Sequence, residues 1–427
     1  MTTLEKYSHY MMPMAAKGVV PRVIDRAQGA YMWDEDGKRY LDCFSGIAVV
    51  NAGHNHPRVL AAARKQMEKL VHCCSYLYPV APVADLAEKL AKITPGALTR
   101  SFFANSGAEA IEGAMRLAKQ ATGRRELIAL GFSFHGRTVG TLSVTGNYAR
   151  KRNAGPYLSG VAFAPSPYCY RCPCHLSYPA CGIACAEAME LVIRQQTTGD
   201  VAAFLAEPVL GEGGIIVPLD EYFRIAVGTA RRHGALFICD EVQSGFGRTG
   251  TLFAIEHYGI EPEIMAVAKG IADGWPLGAF IATEEVAGAM EPGDHLSTFG
   301  GNPVCCAAAL ENISVLHDEG LVKNSAERGA EVLAALQAIK ERRPAVGDVR
   351  GKGLMIGVEL VKDRSGKEPD PDLAKAVRLC LLDRGIAVGV GGPYSNVVRI
   401  QPPLCIKADE CQQVVEELSN VLLRENL

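Results

Sequence analysis

The chain has no long hydrophobic run. No stretch approaches the roughly 18 apolar residues of a membrane-spanning helix. The first residues, MTTLEKYSHYMMPMAAKG, hold no continuous apolar segment of the secretory kind. Charge of one sign is lacking too: 44 Lys and Arg face 47 Asp and Glu, a formal net charge of −3. That balance excludes a general attraction to polyanions or membrane surfaces, and no DNA-binding module is visible. No G-x-G-x-x-G follows an early strand, which removes a nicotinamide oxidoreductase. Internal repeats and low-complexity linkers are absent. Fourteen cysteines in 427 residues do not form a disulfide framework, and Cys239 in LFICD reads as a reduced core residue. These absences predict a cytoplasmic protein with neither nucleic acid nor membrane as partner.

What is present is ordinary globular composition, 48% hydrophobic and 21% charged, in a chain long enough for about two or three domains. Segments of helical period alternate with short apolar ones. In PVADLAEKLAKI, Val83, Leu86, Ala87, Leu90 and Ile93 share one helical face. RELIAL (125–130), VAAFLAE (201–207), GALFICDE (234–241) and EIMAVAKG (263–270) read as buried strands. This rhythm predicts an α/β fold with a mostly parallel sheet covered on both faces. GAYMWDEDGKRYLDCFSG reads as a hairpin turning near Asp36-Gly37. The C-terminal hundred residues end in an amphipathic helix with Val414, Leu418, Val421 and Leu422 on one face. The expected organisation is a large domain over 61–324 and a smaller α+β domain assembled from 1–60 and 325–427.

Three predicted strands end in charge: Glu207, Asp240 with Glu241, and Lys269. Ligands bind at the carboxyl ends of such strands. Lys269 either emerges into water or sits in a partly desolvated pocket, where its amine becomes a nucleophile. The loop before GAEAIEGAMRLAK puts Ser106, Gly107 and Ala108 at a helix start, where free N–H groups suit an anion. An ordinary N-cap is the plain alternative. Phe134, beside His135 and Gly136, can stack on a planar ring; His135 by itself is more often structural. Asp240 needs a partner at its strand end, and a protonated pyridine nitrogen is one. A phosphate cup, a stacking aromatic, an acid for a ring nitrogen and a lysine for an aldehyde together describe a pyridoxal phosphate site.

The chain resembles the class III (ω-type) aminotransferases of fold-type I. The resemblance runs over GHNHP (53–57), NSGAEA (105–110), FHGRT (134–138), AEPVLGEGG (206–214), DEVQSGFGRTG (240–250), AKGIADGWPLGA (268–279), STFGGNPV (297–304) and VRGKGLMIGVEL (349–360). It implies that Lys269 bonds the aldehyde of pyridoxal 5′-phosphate and later moves the proton. It implies that Asp240 pairs with the ring nitrogen and Gln243 approaches the ring hydroxyl. Phe134 would stack on the ring, with His135 and Glu207 beside it, and Ser106, Gly107 and Ala108 would hold the phosphate. Thr298 would reach the cofactor of a neighbouring subunit, which makes the protein a homodimer with shared sites. Tyr76 would lie near the substrate.

The same resemblance, to 4-aminobutyrate-type members, makes Arg399 the holder of the 2-oxo acid's carboxylate. Glu212 would pair with it when the other substrate lacks that group, and Arg137 would hold a distal carboxylate. The expected reaction is transfer from an ω-amino acid or amine to 2-oxoglutarate or pyruvate by ping-pong chemistry. FHGRT also suits ornithine-type members, and the segment from GKGLMIGVEL to NVVRIQPPL resembles alanine–glyoxylate-type members. One departure is YCYRCPCHLSYPACGIACAEA (168–188), with Cys169, Cys172, Cys174, Cys181 and Cys185. Its Cys-x-x-Cys spacing permits a metal, but no histidine pair or second Cys-x-x-Cys follows, so a reduced insert without metal is expected. Similar inserts occur in racemases of the same family, which would return the proton to the opposite face.

Overall fold

A computed structural model describes residues 1–13 and 20–422. Two seven-stranded sheets organise them. In the larger, the spatial order is Leu98–Ala104, Gly278–Thr283, Ile264–Val267, Leu236–Asp240, Val201–Ala206, Glu126–Leu130 and Val161–Ala164. Pairings from Ile264–Val267 through to Val161–Ala164 are parallel, and the strand Val201–Ala206 is buried along its whole length.

Alternation along these strands sorts their side chains onto two faces. Ala203, Leu205, Ile238, Ile264 and Ala266 pack beneath the helix Gly107–Thr122. Phe204, Ala206, Phe237, Cys239, Met265 and Val267 pack on the other side with Met189, Val192, Phe223 and Val227 of two further helices. Small residues let the helix Gly107–Thr122 lie close. A Cβ on Gly113 would stand 2.2 Å from the Phe280 ring.

The sheet is less uniformly parallel than its sequence rhythm suggests. Leu98–Ala104, Gly278–Thr283 and Val161–Ala164 are additional strands, and Gly278–Thr283 runs antiparallel to both neighbours. Residues 268–277 link it to Ile264–Val267, and a parallel return needs a crossover of roughly a dozen residues or more. The strand carrying Ile264 also stops at Val267, before Lys269.

The second sheet takes strands from both parts of the chain, in the order Ile24–Gln28, Tyr31–Asp34, Arg39–Cys43, Ile386–Gly391, Val397–Ile400, Met355–Leu360 and Val346–Lys352. The two parts join where Arg39–Cys43 pairs in parallel with Ile386–Gly391, Leu41 opposite Ile386. The expected hairpin is present: Tyr31–Asp34 and Arg39–Cys43 pair antiparallel, and Gly37 takes φ +81° in the turn. Lys38 N–H and the Tyr40 hydroxyl both donate to the Asp34 carboxylate, at 2.8 and 2.6 Å. The helix Ala408–Leu422 buries Val414, Leu418, Val421 and Leu422 against the common core.

Candidate active site

The parallel strands of the larger sheet present their carboxyl ends along one edge. Asp240 is the last residue of its strand, Glu207 follows Val201–Ala206 directly, and Lys269 lies two residues past Val267. These three residues line one cavity of about 150 Å³ with Gly107, Ala108, Phe134, His135, Gly136, Val242 and Gln243. Residues as far apart in the chain as Gly107 and Lys269 therefore meet at a single point.

Lys269 opens a short 3-10 turn with φ +47°, a left-handed conformation that costs a residue with a Cβ. Burial lowers the pKa of its ammonium, although Glu212, Asp240 and Glu207 oppose the shift. Lys269 therefore sits in a partly desolvated cavity and does not emerge into bulk water.

Asp240 is held from two sides. Its Oδ2 lies 2.6 Å from His135 Nδ1, and its Oδ1 accepts the Val242 N–H at 3.0 Å. His135 is itself fixed by its backbone N–H to Thr145 Oγ1 at 3.1 Å, and its Nε2 is buried without a hydrogen-bond partner. Glu207 accepts the N–H groups of Phe134 and Gly211, each at 2.9 Å. Burial, reinforced by the nearby Asp240, raises its carboxyl to about 7. Gln243 takes a hydrogen bond from Gln401 at 3.0 Å.

Ser106 caps the helix Gly107–Thr122, accepting the Glu109 N–H at 3.2 Å. The N–H groups at a helix start have no partner within the helix and point outward with the positive end of its dipole. A Cβ on Gly107 would come within 2.7 Å of the Val242 side chain, and one on Gly136, at φ +140°, within 2.8 Å of the Ala108 Cβ. Glycines thus let these segments pack closely around the helix start, whose N–H groups suit an anion.

Above this floor stands a second charged group. Glu212 Oε1 accepts from Arg399 at 2.6 Å and Oε2 from Arg150 at 2.9 Å. Burial alone would raise the Glu212 carboxyl, but the Arg399 guanidinium, with Arg150 and Lys269 behind it, holds it down to about 2. Arg399 occupies the strand Val397–Ile400 opposite Gly357 on one side and Gly389 on the other. Its guanidinium lies 5.0 Å from the centroid of the Phe44 ring. Its Nε is buried and unpartnered. Arg350 braces the loop that carries Glu212, donating to the carbonyl of Gly214 at 2.6 Å and of Ile215 at 3.0 Å.

Six expected residues do not line the cavity: Ser106, which caps its helix, the paired Glu212 and Arg399, and Tyr76, Arg137 and Thr298, the last expected at a neighbouring subunit's cofactor. The Tyr76 hydroxyl donates to the Phe103 carbonyl and accepts the Phe103 N–H, and its ring stacks on Phe102 at 4.7 Å. This backbone pairing draws Tyr76 to the edge strand of the sheet. Arg137 is exposed, its guanidinium 5.7 Å from the Phe134 ring centroid. Thr298 is exposed beside Ser297, whose hydroxyl accepts from Asn105 at 3.2 Å. Val242, Gln401, Arg350 and Arg150 are not marked by the sequence pattern. Gln401 alone carries a usable signal, since it lies two residues from Arg399 in one strand-like run and so faces the same side.

In the cysteine insert, Arg171 meets Glu359 at 2.5 Å and the Tyr168 hydroxyl reaches the same carboxylate, docking the segment on the second sheet. Among the described residues, no group of three or more His, Cys, Asp or Glu side chains is arranged to hold a metal ion. No described helix is long and apolar enough to cross a membrane.

A family model described as aminotransferase class-III matches residues 14–422. The acetylornithine aminotransferase of Methanothermobacter thermautotrophicus is 42% identical over 94% of each chain. The leucine/methionine racemase of Thermococcus litoralis is 38% identical over 98% of this chain and 94% of its own. The 4-aminobutyrate aminotransferase of Escherichia coli is 37% identical over 96% and 95%. Among solved structures, an (S)-enantioselective omega-transaminase from Thermomicrobium roseum superposes with a TM-score of 0.92 at 35% identity, covering 98% of this chain and 97% of that one.

Proposed function

The chain belongs to the class III aminotransferases, and from that premise we propose that it moves an amino group from an ω-amino acid or amine of the 4-aminobutyrate type to a 2-oxo acid. Enzymes of this family use pyridoxal 5′-phosphate, and the cavity beside Lys269 fits that group. Its glycine-shaped helix start suits the phosphate, Phe134 offers a ring face, and Asp240 offers a fixed carboxylate. Bound there, pyridoxal phosphate supplies an electron sink for the carbon that carries the amino group.

The side chains then divide the work. Asp240, positioned by His135 and the Val242 N–H, pairs with the ring nitrogen. Gln243, held by Gln401, would face the ring hydroxyl. Lys269, an amine of lowered pKa, would take the proton from the donor carbon and carry it past the amino nitrogen. Glu207 anchors the backbone of Phe134 and of Gly211.

The observation that carries the substrate reading is the 2.6 Å pair of Glu212 with Arg399 beside Lys269. Transfer requires one pocket to accept a donor without an α-carboxylate and then an acceptor with one. With the pair closed, Arg399 is neutralised for the donor; with the pair open, its fork meets the acceptor's carboxylate. Arg137 would meet a distal carboxylate. The kinship to a racemase favours a second reading, proton return to the opposite face. One screen separates them. Candidate donors, among them 4-aminobutyrate, 5-aminovalerate, β-alanine, ornithine and L-alanine, are incubated with and without pyruvate or 2-oxoglutarate. Transfer yields ketone or aldehyde only with acceptor. D-amino acid formed without acceptor, faster than any transfer, would establish the racemase instead.

A homodimer with shared sites completes the reading. Leu77 and Phe299 are 68% and 63% exposed, beside the exposed Tyr78 and Thr298, an apolar surface suited to a second copy. Mixed Lys269→Ala and Thr298→Ala chains should regain activity through one intact site per heterodimer; no recovery would defeat sharing. Fourteen unbridged cysteines suit a reducing compartment such as the cytoplasm.

A further inference from the structure

The carboxylate of Glu212 has two partners, and the proposed exchange of substrates uses only one of them. Arg399, 3% exposed, comes from the second sheet. Arg150, 35% exposed, comes from the short helix Tyr148–Lys151 of the other part of the molecule, which Asn147 caps. The neighbours of Arg150 face elsewhere: Ala149, Lys151 and Arg152 line an outer cleft with Phe163 and Tyr394. Arg150 alone turns inward, to a carboxylate that is itself 10% exposed.

We propose that Arg150 is the positioning residue that receives Glu212 when Arg399 binds the carboxylate of the 2-oxo acid. This rests on the transaminase reading above. Opening the Glu212–Arg399 pair leaves a carboxylate in a buried place, and a buried charge without a partner is strongly unfavourable. Arg150 removes that obstacle because its bond to Oε2 is already made. A long, partly solvated arginine can follow the carboxylate as it swings outward.

Charge leads to the same conclusion. Two guanidiniums around one carboxylate leave a single positive charge in this part of the site. One incoming carboxylate neutralises it. Without Arg150, the Glu212–Arg399 pair is already neutral, and an acceptor must compete with Glu212 for Arg399. A donor lacking the α-carboxylate meets the closed pair in either case. Arg150 therefore sets affinity for the acceptor and leaves the donor side largely alone.

The test uses the cofactor-loaded enzyme and measures the two half-reactions separately, with pyruvate and 2-oxoglutarate both tried as acceptor. In Arg150→Ala, and in the shape-conserving Arg150→Gln, the KM for the 2-oxo acid should rise about tenfold while that for the donor moves less than about twofold. Arg150→Lys should recover part of the loss. In a Glu212→Gln background, where no carboxylate needs receiving, the Arg150→Ala effect on the acceptor should shrink to less than about twofold. Thermal unfolding of each variant reports whether it folds, and Arg150→Gln carries the test if Arg150→Ala does not. An equal loss on both half-reactions, an acceptor loss undiminished in the Glu212→Gln background, or no loss at all overturns the proposal. A wild-type enzyme that accepts neither 2-oxo acid would defeat the transaminase reading itself, whatever the variants do.

Discussion

The floor of the site and its upper wall are built by different rules. At the floor, Asp240, Glu207 and Ser106 are each fixed by backbone N–H groups or by a buried neighbour. Each of those bonds is short and local, to a backbone N–H of a neighbouring segment. On the wall, Glu212 sits between Arg399 and Arg150, and the Arg399 Nε has no partner. Three long charged side chains can exchange bonds there without disturbing a strand. A cofactor that stays put needs preorganised groups, whereas two substrates that alternate in one pocket need a wall with two states. The contrast implies that mutations at the floor damage every substrate alike, and that mutations on the wall discriminate between them.

The sharpest break of the floor is Lys269→Ala. Turnover should fall by about 10⁴-fold or more for every donor and acceptor, because the proton carrier and the bond to the cofactor go together. The visible absorbance of the lysine–cofactor bond should vanish as well. Retained visible absorbance and turnover would remove Lys269 from its place. A smaller effect is expected at Gly107. An added Cβ meets Val242 at 2.7 Å, and Val242 N–H holds Asp240. Gly107→Ala should lower stability by about 1–3 kcal/mol and weaken cofactor binding, read by thermal unfolding and by titration with pyridoxal phosphate. An unchanged affinity would show that the helix start is not the cradle.

Much of the floor is legible in the amino-acid sequence, and little of the wall's second state is. Periodicity places the buried strands and the helix carrying Leu86 and Leu90, because side-chain alternation follows directly from burial on one or two faces. Charged residues closing apolar runs mark Glu207, Asp240 and Lys269, which the fold brings to one cavity, and the roles proposed for them come from the resemblance. The direction of Gly278–Thr283 is not legible in its own residues, because it depends on the length of a connection. Tyr76, which the resemblance sets near the substrate, does not line the cavity, since its hydroxyl is captured by the Phe103 backbone, a contact that no spacing reveals. Arg150 is hidden for a similar reason. Nothing local in NYARKRN distinguishes it from Lys151 or Arg152, and only the fold turns it toward a carboxylate 62 positions away.

The smallest expected effect lies just behind the floor. Glu241 is fully buried, accepting from the Ser244 hydroxyl at 2.5 Å and the Ile255 N–H at 2.7 Å, and burial raises its carboxyl from 4.5 to about 7. The folded state therefore holds a proton that the unfolded chain releases at lower pH. The stability this contributes is complete below about pH 4.5 and is lost as pH rises through about 7. In Glu241→Gln the decline of the unfolding midpoint between those values should be shallower. A variant with the wild-type slope would rule the group out as its source.

The division between floor and wall is tested most directly by Arg399→Gln, with the two half-reactions of the loaded enzyme measured apart. The rate constant kcat/KM for the 2-oxo acid should fall about 10²-fold, since a bidentate partner for its carboxylate is gone. The half-reaction of a donor without an α-carboxylate should change by less than about threefold. Equal losses on both sides would contradict a wall that discriminates between substrates and would place Arg399 with the fixed groups of the floor.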